Sequence, residues 1–119
     1  MRVAINGFGR IGRSVFRIAD QRPDIDIVAI NDLFDPDALR YLLEYDTVMG
    51  RFPGALALED GALVTSRSRA QLMHVRDPKA LPWKDLQIDV VVESTGAFRS
   101  RDAVAQHLHA GARMMNKPC

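Results

Sequence analysis

One cysteine, Cys119, stands among 119 residues, so no internal disulfide can form. Neither sign of charge is in excess. Sixteen basic against 15 acidic residues leave +1, which excludes a global field drawing the chain to nucleic acid or to an anionic membrane. Arg67-Ser68-Arg69 is too short a basic run to change that. No apolar stretch approaches the roughly 20 residues of a membrane span. Met1-Arg2-Val3 leads straight into strand-forming residues, without the layout of a secretory signal. Repeats, low-complexity segments and flexible linkers are missing too. A cytoplasmic setting is the expectation that fits these absences. What remains is ordinary for a globular chain, 47% hydrophobic and 26% charged, and long enough for one domain with a real core.

The informative stretch is Asn6-Gly7-Phe8-Gly9-Arg10-Ile11-Gly12. It follows the apolar run Val3-Ala4-Ile5 and opens a segment with helical spacing, Val15, Phe16, Ile18 and Ala19. A second apolar run, Ile25 to Ile30, precedes Asp32. Strand, Gly-x-Gly-x-x-Gly turn, helix, strand and acid together form the dinucleotide-binding fingerprint in its required context. Gly7 permits the tight turn, Gly9 leaves the backbone open to a pyrophosphate, and Gly12 lets the helix lie close to the strand. The helix N-terminus would face the phosphates. Asp32 is placed to accept hydrogen bonds from an adenosine ribose. Its charge would repel a 2′-phosphate, so NAD is expected rather than NADP.

Further along, Arg22-Pro23-Asp24 should break the first helix near Asp20, and Ile25 to Asn31 reads as a strand buried on both faces. Asp35-Pro36 starts a second helix, with Ala38, Leu39, Leu42 and Leu43 on one face and an end near Asp46. Thr47 to Gly54 reads as a loop, and Ala55 to Ser66 as a β-hairpin turning at Asp60-Gly61. Leu72 to Val75 is a candidate short strand. Asp89 to Glu93 reads as a third parallel strand, Ser94-Thr95-Gly96 as its turn, and Ser100 to Ala110 as a helix closed by Gly111. The expected fold is α/β, a Rossmann-type doubly wound parallel sheet with a small β-hairpin insertion. Its candidate turns all fall at the carboxyl edge of the strands.

Several blocks resemble the cofactor domain of phosphorylating glyceraldehyde-3-phosphate dehydrogenases: Ile5 to Arg13, Ala29 to Leu33, Tyr45 to Gly54, Arg76-Asp77-Pro78 with Leu81-Pro82-Trp83, and Asp89 to Gly96. The resemblance covers about residues 1 to 113. It implies that Gly7, Arg10 and Ile11 contact the pyrophosphate and nearby cofactor atoms, and that Asp32 is the ribose-binding acid. It further implies that Arg76 lies near the adenine side, with Ser94, Thr95, Gly96 and Phe98 in the turn beside the NAD. Asn6, Phe8, Gly9 and Gly12 complete the candidate cofactor site. Ile11 and Phe98 also read as packing residues, Arg76 as a solvated charge, and Ser94-Thr95 as a plain strand-end turn.

The family's chemistry uses a cysteine in a Ser-Cys-Thr-Thr-Asn motif and a later histidine, to oxidise an aldehyde with NAD and inorganic phosphate. That motif does not occur in these 119 residues, and His74, His107 and His109 do not fall in the family's motifs. Cys119 follows Asn116-Lys117-Pro118 and is expected to be an inert terminal thiol. Met114 to Cys119 departs from the family pattern, with at most a stub of a further strand at 113 to 116. The expectation is therefore an NAD-binding domain without a catalytic residue or a metal, inactive alone. Its sheet should end early on the C-terminal side, leaving an edge on which a full-length homologue could pair. A nucleotide- or subunit-binding module without enzymatic role, or a broken gene product, are the alternatives.

Overall fold

A computed structural model describes residues 1–46, 50–95, 107–112 and 114–116. The chain begins with strand β1, Arg2–Asn6, helix α1, Arg10–Asp20, and strand β2, Asp26–Asn31. Helix α2, Pro36–Glu44, runs into a two-stranded ribbon of β3, Tyr45–Asp46, and β4, Gly50–Arg51. Strands β5, Ala57–Glu59, β6, Ala62–Val64, and β7, Arg69–Met73, follow, and after a 3₁₀ turn at Pro78–Ala80 come β8, Val90–Glu93, and β9, Met114–Asn116. The main sheet has the order β5-β6-β7-β2-β1-β8-β9. Strands β7, β2, β1, β8 and β9 run parallel, and β5 and β6 add two antiparallel strands at one end. This is the expected α/β Rossmann-type sheet. The hairpin extends that sheet instead of standing apart, and its turn places Asp60 at φ 50° and Gly61 at φ 75°, as a type I′ turn requires.

Each face of the sheet carries its own core. One packs Val3, Ile5, Ile27 and Ile30 with Phe16 of α1 and Leu39 and Leu43 of α2. The other packs Ala4, Ala29 and Val91 with Trp83, Leu81 and Ile88. In β1, residues 3, 4 and 5 alternate between the faces, as a strand must. In β2 they do not: Ile27 and Ile30 share a face, while Val28 and Ala29 both lie toward the other. The cause is a bulge. Val3 pairs with Ile27, but Ala4 pairs with Ala29, so Val28 is an extra residue. Beyond it the phase is regular, and Asn31 stands opposite Asn6.

Three expectations are corrected. The spacing of α1 suggests an apolar stripe through Val15, Phe16, Ile18 and Ala19, yet Ile18 is 60% exposed while Arg17 and Asp20 are buried. Arg17 donates to the carbonyls of Leu43 (2.5 Å) and Gly50 (2.7 Å), stitching α1 to α2 and β4. Asp20 accepts from the hydroxyls of Thr65 and Ser68, both at 2.7 Å. Hydrogen bonding thus keeps charge inside where hydropathy predicts solvent. In α2 only Leu39 and Leu43 are buried, and Leu42 is 38% exposed. Residues 50 and 51 of the expected loop pair with 45 and 46, which ends the helix at Glu44. Ser100 lies outside the described residues. Residues 107–109 are helical and stop in a Schellman motif: Gly111 N–H meets the Leu108 carbonyl (3.1 Å) and Ala112 N–H the His107 carbonyl (3.0 Å), with Gly111 at φ 107°.

Candidate functional site

The ends of β1, β2 and β8 open on one cavity of about 630 Å³ at the carboxyl edge of the sheet. Asn6, Gly7 and Gly9 form one wall, Ser94 and Thr95 another, and Asp32, Leu33 and Phe34 with Val75 and Arg76 the third. Such an edge is where open α/β sheets bind ligands.

The first turn shows why glycine stands at each of three positions. Gly7 has φ 97°, and a Cβ there would lie 2.6 Å from the Thr95 nitrogen, so β1 and the turn after β8 touch backbone to backbone. A Cβ on Gly12 would overlap the Gly7 carbonyl and crowd Ser94 Oγ at 3.1 Å and Ile5 Cγ2 at 3.2 Å. Gly9 differs: a Cβ there meets nothing within 4 Å. Its bareness serves no internal packing, and the open space beside it is what an approaching diphosphate needs. Gly9 is also the N-cap of α1 and offers no side-chain cap, nor does an acid occupy the first turn. The first intrahelical bond runs from Arg13 N–H to the Gly9 carbonyl (2.9 Å), so the earlier N–H groups and the positive end of the dipole point outward. The turn is locked underneath by Ser94 Oγ, which donates to the Gly7 carbonyl at 2.6 Å.

Asp32 follows β2 and is half-buried. One carboxylate oxygen accepts from Phe8 N–H (2.7 Å) and the other from Phe34 N–H (3.0 Å). The acid therefore ties the glycine turn to the second strand. Each oxygen keeps lone-pair capacity, so a sugar hydroxyl can still donate to it. His74 meets the Asp32 carbonyl through Nδ1 at 3.0 Å and steadies the same residue from β7's side. Phe8's ring is buried against Phe16, edge to face at 5.9 Å, so the turn receives only its peptide groups. Arg10 and Ile11 are exposed at the helix start, and Arg76 is exposed on the cavity rim. Gly96 and Phe98 lie outside the described residues.

Along the cavity runs a polar row of which the sequence motifs singled out only Asn6 as a site residue. Asn31, Asn6 and Glu93 end three adjacent strands and all are buried. Asn31 Nδ2 donates to Asn6 Oδ1 (2.8 Å), and Asn6 Nδ2 donates to Glu93 Oε1 (2.8 Å). Glu93 Oε2 accepts from Thr95 N–H (3.0 Å) and Thr95 Oγ1 (2.8 Å). Burial alone would raise the Glu93 pKa. Hydrogen bonds from His107, Thr95 and Asn6 outweigh it and hold the carboxyl below its ordinary range. For Asn31 and Glu93 the sequence signal was position: like Asn6, each interrupts an apolar run at the same strand end. Leu33 and Phe34, 52% and 65% exposed, were likewise unremarked, although apolar residues between a fingerprint acid and a helix cap are candidates for a cofactor wall.

The residues fit a dinucleotide: an open glycine backbone, an uncapped helix start and a carboxylate with spare acceptors face one cavity. Among the described residues no cluster of three or more His, Cys, Asp or Glu could hold a metal ion, and no helix is long and apolar enough to cross a membrane. The family model described as glyceraldehyde 3-phosphate dehydrogenase, NAD binding domain, matches residues 1–101. The cytosolic glyceraldehyde-3-phosphate dehydrogenase of Trypanosoma brucei brucei is 52% identical over 113 residues, which is 95% of this chain and 34% of that protein. Its counterpart in Thermotoga maritima is 51% identical over 114 residues (94% and 34%). The glyceraldehyde-3-phosphate dehydrogenase A of Escherichia coli K12 is 47% identical over 113 (95% and 34%). The chain thus spans about a third of the length of the curated relatives it matches.

Proposed function

The chain belongs to the glyceraldehyde-3-phosphate dehydrogenase family, and from that premise we propose that its cavity takes the adenosine and diphosphate part of NAD. Gly7, Gly9 and the start of α1, with Arg10 and Ile11, hold the diphosphate. Asp32 accepts from the adenosine ribose. Leu33 and Phe34 flank the adenine with Arg76 at its rim, and Ser94 and Thr95, followed by Gly96 and Phe98, continue toward the nicotinamide. The observation that carries this reading is the vacant space beside Gly9, framed by the helix start and Asp32. Bound NAD supplies a hydride acceptor. This chain's own residues bind and orient it.

The family reaction converts glyceraldehyde 3-phosphate, NAD and phosphate to 1,3-bisphosphoglycerate, a glycolytic step that fits a cytoplasmic protein. Ser-Cys-Thr-Thr-Asn is missing from these 119 residues, so the pure chain should bind cofactor and form no NADH from that aldehyde and phosphate. Association with a full-length homologue would supply the remaining groups.

Calorimetric titration with NAD and NADP tests the assignment. Asp32→Asn should weaken NAD by about tenfold and shift the NADP-to-NAD affinity ratio toward NADP, because the 2′-phosphate no longer meets a negative charge. Unchanged affinity for both nucleotides would remove Asp32 from the site.

A further inference from the structure

His107 does not line the cavity. It is wholly buried, shares Glu93 Oε1 with the Asn6 amide 3.5 Å away, and carries a histidine's two ring nitrogens into defined roles. The indole N–H of Trp83 donates to Nδ1 at 2.9 Å, so Nδ1 is the acceptor and the proton sits on Nε2. That Nε2–H donates to Glu93 Oε1 at 2.8 Å. One tautomer and one ring orientation are thereby fixed. Glu93 is in turn saturated: Oε1 serves His107 and Asn6, and Oε2 serves the N–H and hydroxyl of Thr95. Asn6 and Thr95, the other two residues bonded to the Glu93 carboxylate, both line the cavity.

Resting on the cofactor reading above, we propose that His107 is a positioning residue for the dinucleotide. Seated between Trp83 and Glu93, it holds the carboxylate in the one orientation that presents Asn6 and Thr95 to the bound NAD. A carboxylate that lost this donor would keep a spare lone pair on Oε1 and be held on that side by Asn6 alone, so that it could shift. Asn6 and Thr95 would then lose a shared, fixed acceptor. A role confined to packing would need only volume at this position, and an apolar ring would satisfy it.

Trp83 is the sole tryptophan, so its indole N–H gives a single resonance in an ¹⁵N-resolved NMR spectrum. Titrating the chain with NAD should move that resonance together with the Gly7 and Gly9 amides, because binding at Thr95 and Asn6 is transmitted through Glu93 and His107. His107→Gln, whose amide nitrogen can replace Nε2–H as donor to Glu93, should keep NAD affinity within about threefold of the parent. His107→Phe should lose about tenfold or more. Cofactor affinity unchanged in a folded His107→Phe would overturn the proposal, as would an equal loss in a folded His107→Gln. Should His107→Phe not fold, the parent titration and His107→Gln decide. Glycine amides that move while the indole stays still would refute the positioning role and leave the cofactor site intact. No movement of either would remove both.

Discussion

Two alanine substitutions four positions or fewer from one another should separate binding from folding. Gly9 is the N-cap of α1 at φ −77° and ψ −159°, a conformation any residue can adopt, and a Cβ there touches nothing within 4 Å. Alanine is a poorer N-cap than glycine by about 0.5 kcal/mol. It also restricts the unfolded chain, a gain of about 0.4–1 kcal/mol. The two nearly cancel, so Gly9→Ala should melt within about 2 °C of the parent. Its methyl group fills the space proposed for the diphosphate, and NAD affinity should fall by about 10- to 100-fold, or about 1.4–2.8 kcal/mol. Gly12→Ala runs the other way. Helix propensity favours alanine by about 1 kcal/mol. Against that, the new Cβ overlaps the Gly7 carbonyl and crowds Ser94 and Ile5. A backbone oxygen cannot swing aside as a side chain can, so the upper end of overpacking, about 3 kcal/mol, applies. The net loss of about 2 kcal/mol should lower the melting point by roughly 10 °C. Thermal denaturation and calorimetric NAD titration of both variants are the assays. A Gly9→Ala protein that binds NAD as the parent does, or a Gly12→Ala protein that is as stable as the parent, would refute the division of labour.

The remaining predictions concern the polar row and one cap. Glu93→Gln must turn an amide N–H₂ toward two existing donors, on either oxygen's side, and should cost about 2–4 kcal/mol at neutral pH in urea unfolding. The Glu93 pKa is depressed on folding, so between the folded and the ordinary value the unfolded chain binds more protons. Its stabilisation is complete above the ordinary carboxylate range and is lost as pH falls through the lower folded value. The stability gap between parent and Glu93→Gln should accordingly narrow below about pH 4; a gap independent of pH would show that charge plays no part. Asp35 accepts from the N–H groups of Asp37 (3.1 Å) and Ala38 (3.4 Å) at the start of α2. Asp35→Ala should lose about 1 kcal/mol by the same measurement while leaving NAD affinity alone.

The fold was legible where one local signal was strong. The glycines, the Asp35-Pro36 cap, the Asp60-Gly61 turn and the apolar β1 and β8 each act over a few residues, and each element formed where its signal stood. What hydropathy could not show was charge satisfied inside. Arg17 and Asp20 look like the solvent face of α1, and only their distant partners, Leu43, Gly50, Thr65 and Ser68, make their burial tolerable. His107 falls in the same class. From sequence it is a histidine outside any motif, and its meaning depends on Trp83 and Glu93, 24 and 14 positions away. The bulge at Val28 was hidden for another reason: in a strand apolar on both faces no alternation marks an extra residue, although a period of two puts residues three apart, such as Ile27 and Ile30, on opposite faces.

The surplus residue in β2 works as a shim. Upstream of Val28 the strand is set by its match to the amino end of β1, and downstream by the fit of Asn31 against Asn6. The two halves need not agree in length. A change in the Arg22–Asp24 corner would be taken up at Val28, against Trp83's side of the sheet, before it reached the edge where the nucleotide sits.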